Sequence, residues 1–147
     1  MNNVHSDLLR DFFTAANKLS SVGIIHSRNY VDDICRYLCS QVYGMKLEDS
    51  RLDLSYDGII DDLKIRTVFN NCPVGHKVIL TEPFEFDELI VLLGPNCSLR
   101  PEGVSGDIIF YRFTPDNIRL KFDYKDGQYI GGIEAFSRDY DRVFSFN

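Results

Sequence analysis

Cysteines are few and unpatterned. Cys35, Cys39, Cys72 and Cys97 are the only four in 147 residues, and none stands in CxxC spacing. That spacing excludes a disulfide framework and a zinc ribbon, so the thiols read as reduced side chains of a cytoplasmic protein. Long hydrophobic runs are lacking too: no window approaches about 18 consecutive apolar residues. The start, MNNVHSDLLRDFFTAANKL, has neither a basic segment nor an unbroken apolar stretch, so neither a membrane span nor a secretion signal is expected. Basic charge is in deficit, with 16 Lys and Arg against 22 Asp and Glu and a formal net charge of −6. This argues against a generally basic nucleic-acid binder and leaves room only for local basic patches. GxxxxGK[ST], GxGxxG and GxSxG are all missing, so NTP hydrolysis, dinucleotide redox chemistry and serine-hydrolase chemistry have no support.

What is present is ordinary globular composition, 44% hydrophobic and 26% charged, in a length that suits one domain over 1–147. Helical periodicity places Leu8, Leu9, Phe12, Phe13, Ala16 and Leu19 on one stripe between Ser6 and Gly23. A second helix starts after Asn29 and ends at Gly44, with Val31, Ile34, Cys35, Leu38 and Val42 on its apolar face and Asp33, Arg36 and Ser40 opposite. The N-terminal helices thus span about 6–43, and a hairpin region follows over about 50–69. Later segments read as strands: Lys77 to Thr81, Leu89 to Leu93, Asp107 to Phe113 and Tyr129 to Phe136, with a short helix or turn at Thr114-Pro115-Asp116. The order predicts an α+β or mixed α/β domain in which helices flank a central mixed sheet.

Within the hairpin region, Asp57-Gly58 is the strongest short-range turn signal. If these two residues form the turn, Tyr56 pairs with Ile59, facing residue numbers sum to 115, and Asp53 lies opposite Asp62. Leu52, Leu54, Tyr56, Ile59, Leu63 and Ile65 then share an apolar face, while Asp53, Asp62, Lys64 and Arg66 share a charged one. Facing carboxylates repel by up to about 1 kcal/mol unless something offsets them. Lys64 and Arg66 can do so as a solvated ion network. A divalent cation can do so as well, since facing Cβ atoms about 5 Å apart let both carboxylates reach one ion.

Asp53, then Asp62, then Lys64 after one intervening residue, resembles the D-x(n)-(D/E)-x-K signature of the PD-(D/E)XK nuclease superfamily. The surrounding run RNYVDDICRYLCSQVYGMKL, the DG hairpin ending LKIRT, and FEFDELIVLLGPN are similar to a small bacterial branch that reads roughly helix, GYDA, DG turn, QIKxR, FDxLVVVLL. The similarity covers about residues 24–95. It implies the restriction-endonuclease-like fold and a Mg²⁺- or Mn²⁺-dependent hydrolase of DNA phosphodiesters, with a role in defence against foreign DNA. It also implies that Asp53, Asp62 and the Leu63 carbonyl bind the metal and that Lys64 positions or activates the attacking water; Arg66, two residues further on the same face, can hold a neighbouring phosphate, and Asn70 follows the hairpin strand where a loop can touch nucleic acid.

One departure stands out. Many superfamily members carry a metal-contacting Glu on the helix before the hairpin, and the alignment puts Arg36 there, with Asp33 one turn earlier. Either Asp33 substitutes, or the site holds one metal weakly, or the chain is a degenerate copy that binds nucleic acid or a protein partner, a second copy of itself included. A further reading is an acidic inhibitor whose carboxylates mimic phosphate. Cys72 and His76 lie four apart with no second ligand pair, which suits a turn better than a zinc site.

Overall fold

The computed structural model describes residues 2–49 and 55–146. Helix α1 (Asn3–Ser21) and helix α2 (Tyr30–Tyr43) precede strands β1 (Lys46–Leu47), β2 (Gly58–Ile60), β3 (Leu63–Asn70), β4 (Val78–Thr81), β5 (Glu88–Leu93) and β6 (Ile108–Phe113). Helix α3 (Pro115–Lys121) leads into β7 (Asp123–Lys125), β8 (Gln128–Gly131) and β9 (Arg142–Phe144). The fold is α+β, with a curled mixed sheet in the order β1-β2-β3-β5-β6-β9 and a smaller sheet in the order β4-β8-β7. Among the described residues only β3 and β5 pair in parallel, and every other neighbouring pair is antiparallel.

Local chemistry explains the helix limits. The Asn29 side chain accepts from the Asp32 amide at the start of α2, and Gly44 ends it in the left-handed conformation at φ 67°. Thr114 caps α3, whose first residue is Pro115. Strand β5 reads ELIVLL because both of its faces are covered. Leu89, Val91 and Leu93 join Ile109, Tyr111, Phe113 and Phe136 in one core, while Ile90 and Leu92 join Ile65, Phe110 and the Cys35, Leu38 and Cys39 face of α2 in another. Each such residue contributes about 2 kcal/mol of burial, which makes β5 the spine of the molecule.

The hairpin differs from expectation. Its turn is Asp61-Asp62, both residues at positive φ (49° and 65°), and not Asp57-Gly58. Gly58 pairs with Ile65, Ile59 with Lys64 and Ile60 with Leu63, so facing numbers sum to 123 and not 115. Asp tolerates the left-handed region better than most residues, which lets two in succession form the turn. Gly58 is needed inside β2 instead: a Cβ there would come within 2.7 Å of both the Lys46 carbonyl oxygen and Met45 Cγ. The face assignment changes accordingly. Ile60, Leu63 and Ile65 pack toward α2, Tyr56 packs against the other core, and Ile59 lies in register with Lys64. Leu52, Leu54 and Asp53 lie outside the described residues.

Three smaller differences follow from packing. The last expected strand stops at Gly131 and continues as a 3-10 turn, Ile133–Ala135. Asp33, placed by periodicity on the polar side of α2, is buried, because the chain before α2 folds over that side and is tied to its carboxylate. The apolar stripe of α1 is largely exposed.

Candidate functional site

A cleft of about 320 Å³ opens where β2 begins, lined by Asp32, Ser55, Tyr56, Asp57, Arg66, Thr67, Val68 and Phe69. Asp57 is its central carboxylate. Its Oδ1 accepts from Arg36 Nε at 2.9 Å, and its Oδ2 accepts from the Thr67 backbone N–H at 2.7 Å and from Thr67 Oγ1 at 3.1 Å. The Asp57 N–H in turn donates to the Ile65 carbonyl at 2.7 Å, so the β2–β3 pairing extends one step and fixes the carboxylate over the sheet edge. Three donors on one carboxylate, one of them charged, make a firm anchor.

Arg36 reaches this point from α2. Its Nη1 also lies 3.6 Å from Asp33 Oδ1, and its side chain is only 19% exposed. Asp33 Oδ2 accepts from the backbone N–H groups of His26 (3.0 Å) and Ser27 (2.8 Å) and from Ser27 Oγ (2.9 Å). Burial alone raises the pKa of Asp33, but these donors and the neighbouring His26 hold it below the usual carboxylate range. At the cleft wall, burial pushes Asp32 upward against the pull of Arg36, with Asp57 and Asp33 adding to the rise and Arg66 opposing it.

The residues read from the sequence as a site are dispersed. Asp62 sits at the hairpin tip, and Leu63 opens β3. Lys64 is exposed; its N–H donates to Asp87 Oδ2 at 2.8 Å and its Nζ stands 5.4 Å from the Tyr56 ring centroid. Arg66 is exposed on the same strand face and lines the cleft. Asn70, at the end of β3, organises the following turn: its Oδ1 accepts from the Cys72 N–H and from Cys97 Sγ, and its Nδ2 donates to the His76 carbonyl. Cys72 Sγ donates to the Val74 carbonyl, and all four cysteines are free. Asp33 and Arg36 come together beside Asp57, which the sequence reading treated as a turn residue. The sequence signal at this position was the Asp57-Gly58 dipeptide, which from its neighbours alone reads as a turn.

Among the described residues, no three His, Cys, Asp or Glu side chains group as a metal site. Asp57 has both oxygens committed to Arg36 and Thr67, and Arg36 is a cation at its side, so the described residues do not fit Mg²⁺. Among the described residues, no helix is long and apolar enough to cross a membrane. Neither protein-family models nor curated proteins give a match to the chain.

Proposed function

We propose that the chain is a non-hydrolytic, degenerate copy of the PD-(D/E)XK design that binds the phosphate backbone of DNA. The observation that carries this reading is the Arg36 guanidinium on the Asp57 carboxylate at 2.9 Å. A built-in cation on this carboxylate supports a site that does without a divalent ion.

Taking Asp57 as the motif aspartate, the strand beside it offers Lys64 and Arg66 at the positions of the motif's acid and lysine, and α2 offers Arg36 at the position of the helix Glu. All three are basic. Across the sheet, Lys46 pairs with Ile59 and Ile59 with Lys64, so Lys46, Lys64 and Arg66 lie on one exposed surface. Side chains two apart on a strand are roughly 6.7 Å apart, the order of one nucleotide step along a backbone. Among the described residues no carboxylate forms a salt bridge with any of the three. Tyr56, under Lys64, supplies an aromatic ring at the same surface.

Binding measured by fluorescence anisotropy on single-stranded, nicked and duplex DNA tests the proposal. Affinity is expected without added metal, to fall with salt, and to drop at least tenfold in the double variant Lys64→Ala, Arg66→Ala. Metal-dependent cleavage by the wild type, lost in Asp53→Ala and in Lys64→Ala, overturns it in favour of a hydrolase using Asp53, Asp62 and Lys64. Binding that ignores salt and both substitutions also overturns it.

A further inference from the structure

We infer that Cys72 and Cys97 form a redox-modification site, at which a low-molecular-weight disulfide of the glutathione class converts the two thiols into one intramolecular disulfide. Neither thiol lines the cleft, and the inference does not depend on the reading given to it.

The parallel pairing of β3 with β5 brings the two cysteines together. Both strands end at the same edge of the sheet, Asn70 beside Leu93. The turns that follow stay joined: the Gly94 N–H donates to the Asn70 carbonyl at 2.9 Å, and the Ser98 N–H donates to the Cys72 carbonyl at 3.0 Å. That second bond sets the Cα atoms of Cys72 and Cys97 on the order of 6 Å apart, inside the range of roughly 4.4–6.8 Å that a disulfide spans. The Asn70 side chain draws a sulfur in as well, because its Oδ1 accepts both from the Cys72 N–H at 2.9 Å and from Cys97 Sγ at 3.4 Å. Closing the bond gives up two sulfur contacts, Cys97 Sγ on Asn70 and Cys72 Sγ on the Val74 carbonyl at 3.1 Å. Thiols are weak donors, so little opposes the exchange.

Unequal access orders the steps. Cys72 is half-buried and opens the exposed turn 73–77, whereas Cys97 is buried at 5% exposure. Burial pushes the Cys97 thiol up, with Cys72 adding to the rise and the Leu99 N–H and Arg100 opposing it. The thiolate is the attacking form and a solvent-borne disulfide has to reach it, so Cys72 reacts first. Its thiolate attacks one sulfur of oxidised glutathione, the S–S bond breaks, and one glutathione thiolate leaves and takes up a proton. Cys97 then loses its proton to solvent and attacks Cys72 Sγ of the mixed disulfide, expelling the second glutathione thiolate, which is protonated in turn. Two protein thiols are oxidised by two electrons, and one glutathione disulfide is reduced to two thiols. The bond closes the loop from residue 72 to residue 97, which contains β4 and β5, so it restricts the unfolded chain and stabilises the fold. Cys35 and Cys39 serve as internal controls, since both are buried between α2 and the sheet.

Titrating the full chain with oxidised glutathione, followed by intact mass and a non-reducing peptide map, tests this. The expected product is two hydrogens lighter than the reduced chain, carries a link between Cys72 and Cys97, and leaves Cys35 and Cys39 free. Its Tm should lie about 5 °C or more above that of the reduced chain, and dithiothreitol should reverse both changes. Cys97→Ala should stop with one glutathione on Cys72, and Cys72→Ser should stay unmodified while folded. A wild type that remains reduced at every glutathione ratio overturns the proposal. So does an end product that keeps glutathione on Cys72, a link that uses Cys35, Cys39 or a second chain, or a linked product that melts no higher than the reduced chain.

Discussion

At the scale of single residues, Arg36 and Asp33 decide most of the chemistry. Arg36 Nε holds Asp57, and its Nη1 faces Asp33, so removing the guanidinium leaves two partly or fully buried carboxylates without their cation. Arg36→Ala should therefore cost about 2–4 kcal/mol in a urea melt. Arg36→Glu is the more telling change. It places a second carboxylate beside Asp57, so the variant should be destabilised without metal and should regain Tm in millimolar Mg²⁺ or Mn²⁺, whereas wild-type Tm should not move. Equal metal responses in both proteins would contradict the role given to Arg36. Asp33 carries a pH dependence. Its folded pKa is depressed, so its stabilising effect is complete above the unfolded carboxylate value of about 3.9 and is lost as pH falls through the lower folded value. Asp33→Asn should lower stability by about 1–3 kcal/mol at pH 7 and flatten this acid limb of the stability curve.

At the scale of elements, the hairpin is the informative one. Asp61 and Asp62 hold the two positive-φ positions of its turn. Asp62→Gly should be neutral or stabilising by up to about 1 kcal/mol, since glycine is preferred at the second of these positions. Gly58→Ala should act in the opposite direction, costing about 1–3 kcal/mol, because the added methyl meets the β1 backbone and Met45 at 2.7 Å. Thermal melts of the two variants discriminate between the two registers: a turn at Asp57-Gly58 makes Gly58 sensitive for its backbone angles and leaves Asp62 an ordinary strand position. The hairpin was legible as an element, and its register was not. Asp-Gly is a strong turn pair in isolation, but here the chain has a close strand crossing at residue 58 and a guanidinium waiting for Asp57, and both are tertiary facts.

At the scale of the whole molecule, a net charge of −6 opposes approach to nucleic acid, so the proposed DNA binding rests on the local basic surface of Lys46, Lys64 and Arg66. Under that proposal, one phosphate contact from each of the three predicts a slope of log Kobs against log salt of about −2 to −3, shallower than that of a dedicated DNA-binding domain. A steeper slope would mean that further cations, outside these three, carry the contact.

Periodicity and capping were local enough to be read from the chain alone. The limits of α2 at Asn29 and Gly44, the start of α3 at Thr114-Pro115 and the buried β5 strand all follow from residues within a few positions of one another. So does the mixed α+β class. What only the tertiary structure decided involves residues far apart in sequence: the partner of Asp57 on α2, the burial of Asp33 by the preceding loop, the register of the hairpin and the exposure of the α1 stripe. The physical reason is that backbone propensity acts through neighbours, whereas a buried charge finds its partner, and an apolar face its cover, only once the elements have packed.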